Sequence, residues 1–186
     1  MATHEITYDT ADNAARALNT MKWYNRDGKF SRKGTTAMFD MPDSRPLHDH
    51  VSGHPHHALQ FCEFVSRCRI PELEPTILCD PGIAARYAKS ILKSTWPEAE
   101  DKIFSSIHAI TYYLEVPGVD IDRCKAAVIA EVNRGSESSY WNAYNYWAII
   151  SRIKQAWPEV EPVLKLNPSI WAQYQRLLPT WNSTNS

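Results

Sequence analysis

Trp96-Pro97-Glu98-Ala99-Glu100 returns sixty-one residues later as Trp157-Pro158-Glu159-Val160-Glu161. Proline cannot continue a preceding helix, because it lacks an N–H and its ring collides with the turn before it, but it starts a new helix well. The two glutamates that follow fall in a first turn, where the helix dipole favours negative charge. The pentapeptide therefore reads as a corner between two short helices, with the tryptophan packed inside. The same offset pairs Ile103 with Leu164, Ile110 with Trp171 and Tyr113 with Tyr174. A second self-match sets Asp80-Pro81-Gly82-Ile83-Ala84-Ala85-Arg86-Tyr87 against Asn167-Pro168-Ser169-Ile170-Trp171-Ala172-Gln173-Tyr174, an offset of 87. Asp80 and Asn167 are natural N-caps, with proline at the first helical position. Ile83, Tyr87, Ala88 and Ile91 then follow helical spacing. Units beginning near residues 80, 106, 141 and 167 satisfy both offsets, spaced 26, 35 and 26 apart. A fixed self-similarity of this kind marks a repeat architecture. It predicts a mainly α fold, a compact array of short helical hairpins over residues 80–186.

From about Asp80 to Leu178 the chain resembles the Trp-Pro-Glu-Ala-Glu helical repeats of uncharacterised phage and bacterial proteins. The resemblance implies a phage-like origin and a scaffold, and it implies no reaction.

Residues 1–79 read differently and are expected to pack with the array as one compact unit. Asp9 to about Asn25 predicts an amphipathic helix, capped by Asp9 or Thr10 and burying Ala14, Leu18, Met21 and Trp23. Residues 26–57 are rich in glycine and proline and read as a loop, with room for a small β-hairpin from Gly28–Phe30 and Ala37–Met41. A helix is expected from about His57 to Cys68, then an extended linker through Pro71 and Pro75.

The bulk composition bounds the function classes. A chain of 186 residues with 44% apolar content can bury a core. A formal net charge of −1 argues against a protein basic all over. No apolar run approaches the roughly 20 residues a membrane span needs, and the first residues lack a basic-then-apolar signal pattern. A cytoplasmic protein with no membrane partner is expected. Cys62, Cys68, Cys79 and Cys124 form no Cys-x-x-Cys pair and are expected as free, mostly buried thiols.

Three stretches could carry chemistry. His48-Asp49-His50-Val51-Ser52-Gly53-His54-Pro55-His56-His57 holds five of the seven histidines. Imidazole ligates zinc, nickel or copper, and His48, His50 and His54 are a possible ligand set. Asp49, His50 and Gly53 also faintly resemble the Asp-His-x-x-x-Gly core of ββα-metal nucleases of the endonuclease VII type. That resemblance implies a divalent metal, zinc or magnesium, on Asp49 and a general base at His50. The chain departs from the family in lacking its paired cysteines. The alternative is a polar loop whose histidines titrate near neutral pH.

The second stretch, Lys22-Trp23-Tyr24-Asn25-Arg26-Asp27-Gly28-Lys29-Phe30-Ser31-Arg32-Lys33, interleaves basic and aromatic residues. Arg26, Lys29, Arg32 and Lys33 would suit phosphates of a single-stranded nucleic acid, with bases stacked on the rings; the alternative is a solvated turn. The third, Tyr140-Trp141-Asn142-Ala143-Tyr144-Asn145-Tyr146-Trp147, offers Tyr140, Trp141, Tyr144 and Trp147 as a partner-binding surface, because Tyr and Trp are enriched in binding hot spots. Packing between repeat helices is its alternative. There is no phosphate-cradling glycine loop, no Gly-x-Ser-x-Gly and no His-Glu-x-x-His. The combined expectation is a non-enzymatic interaction protein that binds a host or phage protein and needs no cofactor. A metal-dependent nuclease or a single-stranded nucleic-acid-binding module are the alternatives.

Overall fold

A computed structural model describes residues 2–133 and 139–184. The fold is mainly α with a small antiparallel sheet near the N-terminus. The elements run β1 (Ala2–Thr7), α1 (Ala11–Tyr24), β2 (Lys29–Lys33), β3 (Thr36–Met41), a 3-10 turn (Leu47–His50), and α2 (Pro55–Gln60) continuing as a π-helical segment, Phe61–Ser66. After a 3-10 turn at Pro71–Leu73 come α3 (Glu74–Ile77) and α4 (Pro81–Tyr87), which continues as a second π-helical segment, Ala88–Leu92. Then follow α5 (Pro97–Phe104), α6 (Ala109–Glu115), α7 (Ile121–Asn133), α8 (Ser139–Ile153), a 3-10 turn (Pro158–Val160), α9 (Glu161–Leu164) and α10 (Pro168–Thr184). The chain divides into two compact units, Met1–Ala99 and Glu100–Ser186. The division falls inside α5, twenty residues past the 79/80 boundary expected from the sequence.

In the N-terminal unit β3 is the central strand, with β1 and β2 antiparallel on either side. Ala37, Phe39 and Met41 point to one face and are buried, as the period of two along a strand requires. That face meets α1, whose Ala14, Ala17 and Met21 are fully buried. Thr10 caps α1 by accepting from the Asn13 N–H at 3.2 Å. Gly34 turns the β2–β3 hairpin at φ 61°, a conformation that costs a glycine little because it has no Cβ. The hairpin replaces much of the loop expected at residues 26–57, and its strands run longer than their predicted cores. β1 was not expected at all. Its inner positions are Ala2, His4 and Ile6, so only one strongly apolar side chain marks the alternation.

The repeat is a corner, and it occurs three times. Arg67, Lys93 and Lys154, at φ 56°, 54° and 51°, are the non-glycine residues with left-handed backbone among those described. Their spacings are 26 and 61, the offsets read in the sequence. Each lies three residues before Ile70, Trp96 or Trp157, and a proline follows that opens the next short helix. A buried tyrosine then closes each corner. The Tyr87 hydroxyl donates to Glu74 Oε1 at 3.0 Å, Tyr112 to Glu100 Oε1 at 3.4 Å, and Tyr174 to Glu161 Oε1 at 3.0 Å. The same Tyr174 oxygen accepts the Trp157 N–H at 3.0 Å, and Tyr87 is bonded in the same way to the Ile70 backbone. A buried hydroxyl without partners would be costly, so the glutamate and the backbone N–H stabilise the ring inside the corner.

Two expectations about the repeat need correction. The offset of 61 sets Tyr113 against Tyr174, but Tyr112 fills that role, because the second copy is one residue shorter between its glutamate and tyrosine. Pro71 and Pro75 do not form an extended linker. Pro71, Glu74, Pro75 and Ile77 correspond, 87 residues earlier, to Pro158, Glu161, Pro162 and Leu164, and both stretches form the same pair of short helices. The repeat thus begins upstream of residue 80. His54-Pro55 precedes Asp80-Pro81 by 26 and starts α2 as that pair starts α4.

The C-terminal unit is built only of helices among the described residues, around Cys124, Tyr146, Ile149, Trp157, Leu164 and Tyr174. All four cysteines are free; Cys62 and Cys124 are buried, while Cys68 and Cys79 are exposed. Burial pushes the Cys62 and Cys124 thiols up to about 12, which makes both inert as thiolates. Among the described residues no helix is long and apolar enough to cross a membrane.

Candidate functional site

The histidines of residues 48–57 fall into two small groups. In the 3-10 turn, His48 Nε2 lies 3.4 Å from Asp49 Oδ1. His50 Nε2 lies 3.4 Å from Asp43 Oδ1, and its side chain is only 3% exposed. The Nε2 atoms of His50 and of His4 on β1 are both buried without a hydrogen-bond partner. The second group sits at the start of α2. His54 is the N-cap and its Nδ1 accepts the His56 N–H at 3.2 Å. His57 stacks between His54 and Tyr24, with ring centroids 4.6 and 3.8 Å away. Tyr24 donates to Gln60 Oε1, and the Gln60 amide meets His56 Nε2 at 2.9 Å.

This arrangement puts His48 and His50 in one group and His54 in the other, and no three His, Cys, Asp or Glu among the described residues are placed to hold a metal ion. Burial lowers the basicity of His50 and His57, the nearby His4, His54 and His56 adding to that effect. Both imidazoles are therefore neutral at neutral pH. A general base must reach the water it activates, and the buried His50 ring does not. Asp49, the expected metal ligand, lies beside His48 instead. His54 has a structural role that the 26-residue register explains, since it stands where Asp80 caps the next helix.

The basic stretch is also divided. Lys29 and Lys33 stand in register with Asp40 and Thr36 on one face of β2. Arg32 is in register with Ala37 and reaches back to α1, its Nη1 donating to the Ala11 carbonyl at 2.8 Å. Arg26 is exposed in the turn after α1. Phe30 packs edge-on to Phe39, with centroids 6.3 Å apart, and Tyr24 is held by His57 and Gln60. Trp23, expected in the core, is 79% exposed.

On α8 the side chains of Tyr140 and Trp141 lie outside the described residues. Tyr144 is 57% exposed, whereas Trp147 is half-buried against the core of its unit. Tyr146, one position away and not assigned to the surface, is fully buried. Ile107 and Leu166, at 74% and 58% exposure, lie in the turns that precede α6 and α10.

A fourth place escaped the sequence reading. Glu63, Phe64, Arg67, Arg86, Ser90, Ile91 and Lys93 line a cleft of about 450 Å³ in the N-terminal unit. Its walls come from the end of α4, the two π-helical segments and the left-handed residues that end them. Arg86 holds Glu63 through two bonds, Nε–Oε1 at 2.9 Å and Nη2–Oε2 at 2.5 Å. Arg67 Nη1 reaches Asp9 Oδ1 at 2.6 Å, and the Arg16 guanidinium lies 5.4 Å from the centre of the Phe64 ring. No local motif announces this cleft, because its residues come from successive repeat units; the basic residue at the end of each unit was the available signal.

No family model, curated protein or solved structure matches the chain.

Proposed function

We propose that this chain is a non-enzymatic protein–protein interaction factor on a helical-repeat scaffold. One observation carries the reading. The tyrosine and glutamate shared by the repeat corners are bonded to each other within their own corner, while Ile107, Tyr144 and Leu166 of the C-terminal unit stand exposed. Single exposed apolar residues are ordinary, but an aromatic and two aliphatic anchors on one helical unit suit a protein partner. The resemblance of the repeats supports the finer reading, a phage accessory factor that modulates a host protein. The test is cross-linking in the native host with the wild-type chain and an Ile107→Ser, Tyr144→Ala, Leu166→Ser variant. A partner captured by the wild type should be lost from the variant while its circular dichroism and Tm hold. Equal capture by a folded variant removes this surface from consideration.

A second reading, a single-stranded nucleic-acid-binding module, is favoured by the exposure of Trp23 between Lys22 and Arg26. Base stacking on such a ring contributes about 1–3 kcal/mol per base. Affinity for a labelled oligonucleotide should fall steeply with salt and drop on Trp23→Ala; a flat salt dependence rejects it. The buried His50 ring gives the nuclease reading, with its zinc or magnesium, no support.

A further inference from the structure

We propose that the cleft between the two π-helical segments binds a monoanionic carboxylate that carries an apolar group. This site is in the N-terminal unit and stands independently of the surface proposed above. The repeat does not require the Glu63 and Phe64 side chains that line it. At the offsets of 26 and 87, Glu63 corresponds to Lys89 and Ile150, and Phe64 to Ser90 and Ser151. The corners close without these side chains, so the lining is free to serve something else. π-helical turns also recur at functional sites, and both walls of this cleft are wound that way.

The chemistry of the lining selects the ligand. A guanidinium offers five N–H donors in a planar fork. Glu63 uses the Nε and Nη2 edge of Arg86 and leaves Nη1; Asp9 uses Nη1 of Arg67 and leaves Nε and Nη2. Lys93 is exposed at the rim. Arg67, Arg86 and Lys93 outnumber the Glu63 and Asp9 carboxylates, and Arg16 beside Phe64 adds a further cation, so the cleft carries an excess of positive charge that suits a carboxylate. A phosphate dianion would face the Glu63 carboxylate in the same cleft. Phe64 and Ile91 supply the apolar contact that an inorganic anion does not need. A volume of about 450 Å³ suits a small organic acid or the last residues of a peptide, within the range of roughly 300–1,000 Å³ typical of ligand pockets. Both sources present the same two groups.

The experiment is an amide-shift titration of the isotope-labelled full chain, followed at Ser90, Ile91 and Lys93. The probes are N-acetyl-leucine, N-acetyl-leucinamide, a tripeptide acid ending in leucine, its amide, and inorganic phosphate. Both acids should give saturable shifts, the amides none, and phosphate a weaker effect. Tighter binding of the tripeptide acid assigns the site to a peptide C-terminus; equal binding assigns it to a small organic acid. Lys93 sits at φ 54°, so Lys93→Gly removes the cation without straining the backbone. That variant should stay folded and bind the acids about tenfold more weakly, the loss expected of one charge-assisted contact. Lys93→Asn, which also tolerates this conformation, serves as the second variant. Equal shifts from acid and amide, tighter binding of phosphate, no saturable shift with either acid, or unchanged affinity in both variants would overturn the proposal.

Discussion

The corner closed by Tyr87 and the corner closed by Tyr174 hold the same bonds around different fillings. In the C-terminal unit Trp157 occupies the inner position, and its N–H binds the tyrosine oxygen. In the N-terminal unit Ile70 stands there instead, half-buried, with the same backbone bond. Both corners keep a left-handed cationic residue, a proline at the next helix start, and a glutamate thirteen residues before the tyrosine. What stays constant is therefore a bonded lock, and the tryptophan is a replaceable filler. This is why the Trp-Pro-Glu motif led to two of the corners and passed over the first.

The comparison breaks most visibly at the filler. Trp157→Ala should cost about 3–5 kcal/mol, the range for a fully buried aromatic, and Ile70→Ala clearly less. Urea unfolding measures both, and equal losses would mean that Ile70 does the work of the tryptophan. The lock itself comes next. Tyr87→Phe removes the acceptor of the Ile70 N–H while Glu74 keeps Arg69, and Tyr174→Phe removes the acceptor of the Trp157 N–H and the donor to Glu161 Oε1, so each should cost about 1–3 kcal/mol. A large loss in one corner and none in the other would show that the two are not the same device.

The left-handed residues give a smaller effect of opposite sign. Glycine relieves the Cβ strain at Arg67, Lys93 and Lys154 but adds freedom to the unfolded chain, leaving a net gain of about 0.5–1 kcal/mol per site. Tm shifts of the single variants test this, and a loss at all three would place the cationic side chains above the backbone term.

The smallest effect separates the two units by pH. Six of the seven histidines lie in the N-terminal unit. Burial holds His50 and His57 below their ordinary values in the folded state. The unfolded chain then binds protons first, so stability is full above about pH 6.5 and is lost as pH falls through the folded values. His50 is faced by His4 from β1, by Asp43 and Arg45 from the loop, and by Asp49 from its own turn; the two carboxylates oppose the shift. Protection factors of the β1 amides, corrected for the intrinsic pH dependence of exchange, should fall on acidification, and His50→Gln should reduce that fall. An unchanged acid response in His50→Gln would assign it to the other histidines.

The corners were legible because proline, glutamate and an N-cap leave local marks that a self-comparison detects. Residues 71–77 were misread because their two prolines suggest a linker when taken alone; only the match to 158–164 shows that each begins a helix. β1 was invisible because half-buried Ala2 and His4 do not look like a strand face. The histidine stretch was conspicuous in composition, but whether its rings converge depends on where a 3-10 turn ends and α2 begins. The cleft left no local motif because Glu63 and Arg86 are twenty-three residues apart and meet only when the first π-helical segment packs beside α4 and its π-helical continuation.

A lock that closes within one corner makes the chain modular. The stretch between Lys93 and Lys154 is thirty-five residues longer than that between Arg67 and Lys93, yet the left-handed residue, the proline and the glutamate–tyrosine bond reappear after it. Duplication or loss of a whole unit leaves the remaining locks chemically complete. Such a scaffold can change its length in evolution without redesigning its core, while the side chains between the locks diversify.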